Sequence, residues 1–278
     1  MDDGLFGPDS VSWRVHRETT VLFGGARAIL MHAAHPLVIA GARQTGFYDR
    51  DPWRRLERTL TLTYAITFGT TDEAVRAADR INDVHHRVHG MDPVTGLAYD
   101  AFDPELLLWV HACLVDSALR FEELTVGGLS ADERQRFHEE QMSATELLHL
   151  PREHIPPTVG ALRAYIDEVV ASGALRVTDA SRRVADLFRN PPRDAQWRPI
   201  LRRVAGWAFG TLPSPLRRAY GVRWNPLREA RLRTELRALR AFRPAIPRRF
   251  RWIEPAHLAD RRIRQEERVT TSSSTLAR

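Results

Sequence analysis

The stretch "ELLLWVHACLVDS", Glu105 to Ser117, puts one histidine in the middle of a run that is otherwise almost wholly apolar. It is entered through Asp103–Pro104, an aspartate able to cap a helix followed by a proline at the first helical position, where a missing N–H costs nothing. On a helical wheel His111 has Leu107, Leu108, Leu114, Val115 and Ala118 around it, with Leu106, Trp109 and Cys113 opposite. A helix apolar nearly all the way round is central and packed on several sides. Its histidine must find partners for its nitrogens, because burying an unpaired imidazole costs free energy.

Outward from this segment, helix signals dominate and strand signals are nearly absent. An apolar pattern through Leu22, Ile29, Leu30 and Val38 predicts a helix from Thr19 to about Ala42, kinked or split at Pro36. Asp51–Pro52 opens a second helix that stops at Gly69, and a third runs from Thr71–Asp72 to "HHRVHG", ending at Gly90. After the histidine helix, Ser130 and Glu133 form a capping box. Further helices are predicted near 158–172, 178–189, 197–210, 213–220 and 226–242. The expectation is an all-α, single-domain multi-helix bundle over residues 1–278, with a buried central histidine-bearing helix. About 1–12 and the Ser/Thr-rich 265–278 are read as loose tails.

Composition narrows the chemistry. The chain has 278 residues, 43% hydrophobic and 27% charged, which suits one domain with a substantial core. Its single cysteine excludes an internal disulfide, a thiolate zinc cluster and haem attached through two thiols. There is no lysine, so all 41 basic side chains are arginine. That removes Schiff-base chemistry and any Walker-type phosphate loop. No apolar run has the length of a membrane span and no signal peptide is evident, so the expected location is cytoplasmic. From Arg193 onward 21 Arg stand against 7 acids, while the part before has 20 against 28, giving +14 and −8. With no nucleic-acid motif in the basic third, a solvated face that also pairs with the acidic part is expected.

Two readings of His111 stay open on its own residues. One is a core histidine donating to a backbone carbonyl. The other is an axial ligand to a haem, whose iron takes a neutral imidazole in an apolar pocket. On the preceding Asp-Pro helix, Arg55, Arg58, Thr59 and Thr63 make a polar stripe beside Leu56, Leu60, Leu62 and Ile66. Half-buried arginines need anionic partners, and a guanidinium fork suits a propionate as well as a surface carboxylate.

Five segments together resemble one known family, the haem-dependent rubber oxygenases (latex-clearing proteins) and MpaB-type oxygenases. They are "FGGARAILMHAAHPLVIAGA" (23–42), "DPWRRLERT" (51–59), "HHRVHG" (85–90), "GLAYDAFDPELLLWVHACLVDS" (96–117) and "YGVRW" (220–224). The resemblance implies an all-α oxygenase domain that binds haem b non-covalently, with His111 as the proximal iron ligand. It implies Arg55 and Thr59 on the distal side, within an Arg-x-x-Lys-Thr motif whose lysine is Arg58 here. Arginine is a poor iron ligand and cannot act as a base. The family's carboxylate on the preceding helix also has no counterpart in "HPLVIAGARQTGF", so haem binding is implied without cleavage of polyisoprene. The expected partners are dioxygen, a small hydrophobic and possibly unsaturated or terpenoid-like substrate, and an electron donor that the sequence does not name.

Two other classes stand beside this reading: a helical module binding an apolar ligand without chemistry, and a non-haem metal enzyme using His85 and His89. Histidines four apart on a helix can clip a divalent metal. His32 and His35 are three apart and can face one way from a helix; His35 and His85 are expected to serve structure, as are Tyr99 and Phe102, and Trp197, Trp207, Trp224 and Trp252 are expected in the core.

Overall fold

Side-chain caps open seven of the helices in the structure, a computed structural model that describes residues 2–46, 52–191 and 197–276. The Ser10 side chain accepts from the Trp13 N–H and opens α1 (Val11–His16), followed by α2 (Thr19–Leu22). The single kinked helix expected over 19–42 is divided: α3 (Gly24–Ala34) ends at His35, in extended conformation, and α4 (Pro36–Gln44) leaves at 101°. Pro36 causes this, since it has no N–H to give and drives the preceding residue out of the helical region. Next come α5 (Pro52–Phe68) and α6 (Thr71–His85), packed on each other. Thr70 and Glu73 cap α6 reciprocally, while the expected cap of α5, Asp51, lies outside the described residues.

The third helix was expected to reach Gly90 but stops at His85. Beyond it, β1 (His89–Met91) and β2 (Ala98–Asp100) pair antiparallel, with His89 opposite Asp100. Strands of three residues are too short to show alternation in a sequence. The histidine helix is α7 (Pro104–Thr125), capped by the Asp103 side chain as expected, and α8 (Ala131–Glu146) opens on the Ser130–Glu133 box. The rest is α9 (Val159–Ala171), α10 (Asp179–Arg189), α11 (Arg198–Thr211), α12 (Ser214–Ala219), α13 (Pro226–Phe242), α14 (Arg248–Arg251) and α15 (Glu254–Leu276). The chain is thus predominantly α-helical. Of the ends read as loose, Asp2 accepts the Thr71 N–H and hydroxyl, and α15 continues through 265–276.

The central position of α7 is borne out. It packs on α2, α3, α8, α9 and α13, and Trp109, Ala112, Cys113, Leu119 and Phe121 are buried along it. Leu114 is the departure, 46% exposed rather than gathered around His111. α3 and α7 approach closely at Gly24, where a Cβ would fall 2.8 Å from the Ser117 carbonyl oxygen. One turn on, buried Arg27 pairs with Asp116 at 2.7 Å and donates to Ser117 Oγ at 2.7 Å and to the Thr211 carbonyl at 3.1 Å. The Asp-Ser ending the opening stretch therefore locks α7 to α3 and, through Arg27, to α11.

The basic C-terminal third does pair with acids before it. Glu18, 1% exposed, receives both Arg243 Nη2 (2.7 Å) and Nε (3.0 Å), with Arg17 and Arg251 each at 4.0 Å. Trp207 and Trp224 give their indole N–H groups to Glu235 and Glu229, and Arg17 and Arg248 stack on Trp252. Trp197, expected in the core, is 66% exposed.

Candidate active site

His111 sits in the first half of α7, 4% exposed, and its Nε2 is buried without a hydrogen-bond partner among the described residues. Burial pushes its pKa down to about 3, and the neighbouring His138 ring pushes the same way. The imidazole is therefore uncharged at neutral pH, and a neutral ring keeps one nitrogen lone pair free to bind. Leu107 and Leu108, one turn earlier on α7, pack against Met142, Leu150 and Ile155, so the surroundings are apolar. His138 on α8 lies with its ring 6.2 Å from that of His111. Its Nε2–H donates to the Pro156 carbonyl at 2.8 Å, and its Nδ1 is buried without a partner. Sequence reasoning missed His138. The signal was faint: an imidazole beside Phe137 and four residues before Met142, both buried on an otherwise polar helix.

The role of core donor falls to His32. Its Nε2–H reaches the Val110 carbonyl at 3.1 Å, gripping α7 one residue before His111, and burial pushes its pKa down to about 4. His35 occupies the α3–α4 bend with its ring 6.4 Å from Trp109; His35 Nδ1 and Trp109 Nε1 are both buried without partners. His85, His86 and His149 surround the ring of Phe102, at centroid distances of 5.7, 4.8 and 5.3 Å. Tyr99 donates its hydroxyl to Gln44.

Arg55, half-buried on α5, donates to the Ala42 carbonyl at 2.8 Å and to Thr45 Oγ1 at 2.9 Å, joining α5 to the end of α4. Arg58 and Thr59 are exposed. α5 packs chiefly along α6 and α15, whereas α7 packs chiefly on α3 and α2. The helical clip imagined for His85 and His89 does not form, since one closes α6 and the other opens β1. Among the described residues no three His, Cys, Asp or Glu side chains gather as a metal-holding set. Cys113 is buried and burial raises its thiol pKa, which makes it unreactive. No single helix among the described residues is long and apolar enough to cross a membrane.

Six histidines have pKa values lowered by burial, and three of them fall far enough to set a clear pH response. His16 and His32 fall to about 4 and His111 to about 3, against an ordinary 6.5. Below pH 6.5 the unfolded chain takes up protons that the folded chain refuses. Stability is therefore full above pH 6.5 and falls as pH drops toward 4, at up to about 1.4 kcal/mol per unit for each histidine. Urea unfolding of the protein between pH 7 and 5 should show this slope, and a flat profile would mean that the rings are solvated.

The chain belongs to the family described as ER-bound oxygenase mpaB/B′/rubber oxygenase, catalytic domain, which it matches over residues 13–242. It is similar to uncharacterized proteins of Mycobacterium bovis and Mycobacterium tuberculosis, each 28% identical over 245 residues, covering 86% of this chain and 88% of the relative. No solved structure matches it. The resemblance seen in the sequence is thus confirmed at the level of an oxygenase catalytic domain. His111, Arg55, Arg58 and Thr59 all fall inside the matched span.

Proposed function

We propose that the protein is a haem b-dependent oxygenase in which His111 would hold the iron through Nε2. The observation that carries this reading is the buried, uncharged imidazole whose Nε2 has no protein partner, in a fold where His32 already fills the core-donor role. The residues fit the group: a neutral nitrogen donor on a rigid helix, backed by Leu107, Leu108 and Met142. When bound, haem would supply the iron at which dioxygen is activated. His111 would hold the group, on a helix that Arg27 and His32 lock to α3. The apolar shell excludes water and keeps the imidazole unprotonated.

Arg55, Arg58 and Thr59 are proposed to supply the polar side of the site from α5. A guanidinium at Arg55 can anchor a propionate through a bidentate pair. Arg58 provides fixed charge and N–H donors but takes up no proton, and Thr59 offers one hydroxyl. The substrate class is a small apolar molecule, because the site offers apolar surface and few ionic clamps.

Two measurements test the proposal. Reaction of the haem-loaded protein with labelled dioxygen on a panel of terpenoids and unsaturated lipids should place label in a product. Arg55→Ala should lower haem retention or turnover with helix content intact, whereas exposed Arg237→Ala should change neither. Equal behaviour of the two variants would remove Arg55 from the site.

A further inference from the structure

A groove runs along the outer face of α5, between α6 and α15, with a cavity volume of about 890 Å³. That lies within the roughly 300–1,000 Å³ of small-molecule sites. Trp53, Leu56, Leu60, Tyr64 and Phe68 form its floor. Their spacing of three or four keeps them on one face of the helix, over a length of about 22 Å. Arg55, Arg58 and Thr59 are not among the residues that line it, so the groove is separate from the residues proposed for haem.

The two walls differ in chemistry. Pro255, Leu258 and Ala259 of α15 make one wall apolar, and Leu258 is left 53% exposed. Arg76 and Arg80 of α6 line the other. Arg76 has only Asp72 at 3.7 Å, an exposed pair of little worth. Arg80 is in no ion pair among the described residues. The remaining charges near the Gly69 end are already used. Glu73 accepts the Thr70 N–H and lies 3.4 Å from Arg262, which also donates to the Phe68 carbonyl. Glu57 also lines the groove, leaving two available arginines against one carboxylate.

We propose that this groove binds a single-chain amphiphile with an anionic head, of the long-chain carboxylate class. The chain lies along the α5 floor and against Leu258, and the carboxylate meets Arg76 and Arg80, whose forks match it. The apolar wall belongs to residues 255–262, beyond the family-matched span of 13–242, so this site is completed by the chain's own C-terminal helix.

Oleate titrated into the full-length protein below its micellar concentration, followed by calorimetry and tryptophan fluorescence, tests the proposal. One saturable site is expected, with oleyl alcohol binding about tenfold more weakly. Leu258→Glu should weaken oleate by at least about tenfold, and Arg76→Ala/Arg80→Ala should bring oleate down to the level of the alcohol. All three side chains are at the surface, and circular dichroism checks that the variants fold. Leu227→Glu, on exposed α13 surface, should leave binding unchanged. Absence of saturable binding, wild-type affinity in Leu258→Glu, or equal affinity for acid and alcohol would overturn the proposal. Binding should survive in the haem-free His111→Ala protein, so its failure and that of the haem reading are read separately.

Discussion

Arg27→Ala is expected to destabilise the protein by about 3–5 kcal/mol, the usual cost of leaving one member of a buried ion pair behind. Arg27 is 5% exposed, and its guanidinium satisfies Asp116, Ser117 and the Thr211 carbonyl at once. Without it Asp116 keeps only Arg163, 3.7 Å away and itself nearly half exposed. Set against a total stability of about 5–15 kcal/mol, this loss should appear as a large drop in urea midpoint. The double variant Arg27→Ala/Asp116→Ala should cost less than the sum of the singles, because removing both charges relieves the stranded carboxylate. A wild-type midpoint in Arg27→Ala would mean that α3 and α7 are held by packing alone.

The second large effect concerns binding. His111→Ala should abolish haem uptake, since no other residue of α7 on that face offers an iron ligand and the neighbouring His138 is held on α8 by its Nε2–H bond to the Pro156 carbonyl. Its cost to the haem-free protein should be small, within the few kcal/mol of a cavity of that size. Part of even that cost is offset, because the substitution removes a buried nitrogen that has no partner. A core-donor histidine would behave in the opposite way, lowering stability and leaving haem content unchanged. His32→Ala is the internal comparison: its Nε2 bond to Val110 is lost, so stability should fall.

Much of the fold was legible because its signals are local. Asp103–Pro104 and Ser130–Glu133 state their helix starts in three or four residues, and both are realised. Pro36 announced a break, although not an angle of 101°, which depends on what α4 packs against. The hairpin at 89–100 was not legible, because its strands are too short for any period and are paired across a turn set by Asp92. The site was legible in part for the same reason. His111 stood out as one polar residue in an apolar helix, and its burial followed from its neighbours. The Arg27 anchor joins residues 90 positions apart, and nothing local in either helix names its partner. His138 reaches His111 through helix packing alone. The packing of α5 on α6 and α15 could likewise not be read from the Arg55–Thr59 stripe, whose pattern fixes a helix face but not what lies opposite it.

The central claim, that His111 Nε2 holds the haem iron, is tested most directly by chemical rescue. Wild-type protein loaded with haem should show a Soret band with one haem per chain. His111→Gly should fold and lack that band, and added imidazole, entering the space left by the side chain, should restore it. A His111→Gly protein that takes up haem with the wild-type spectrum and no imidazole would contradict the assignment, as would a wild-type protein that takes up none.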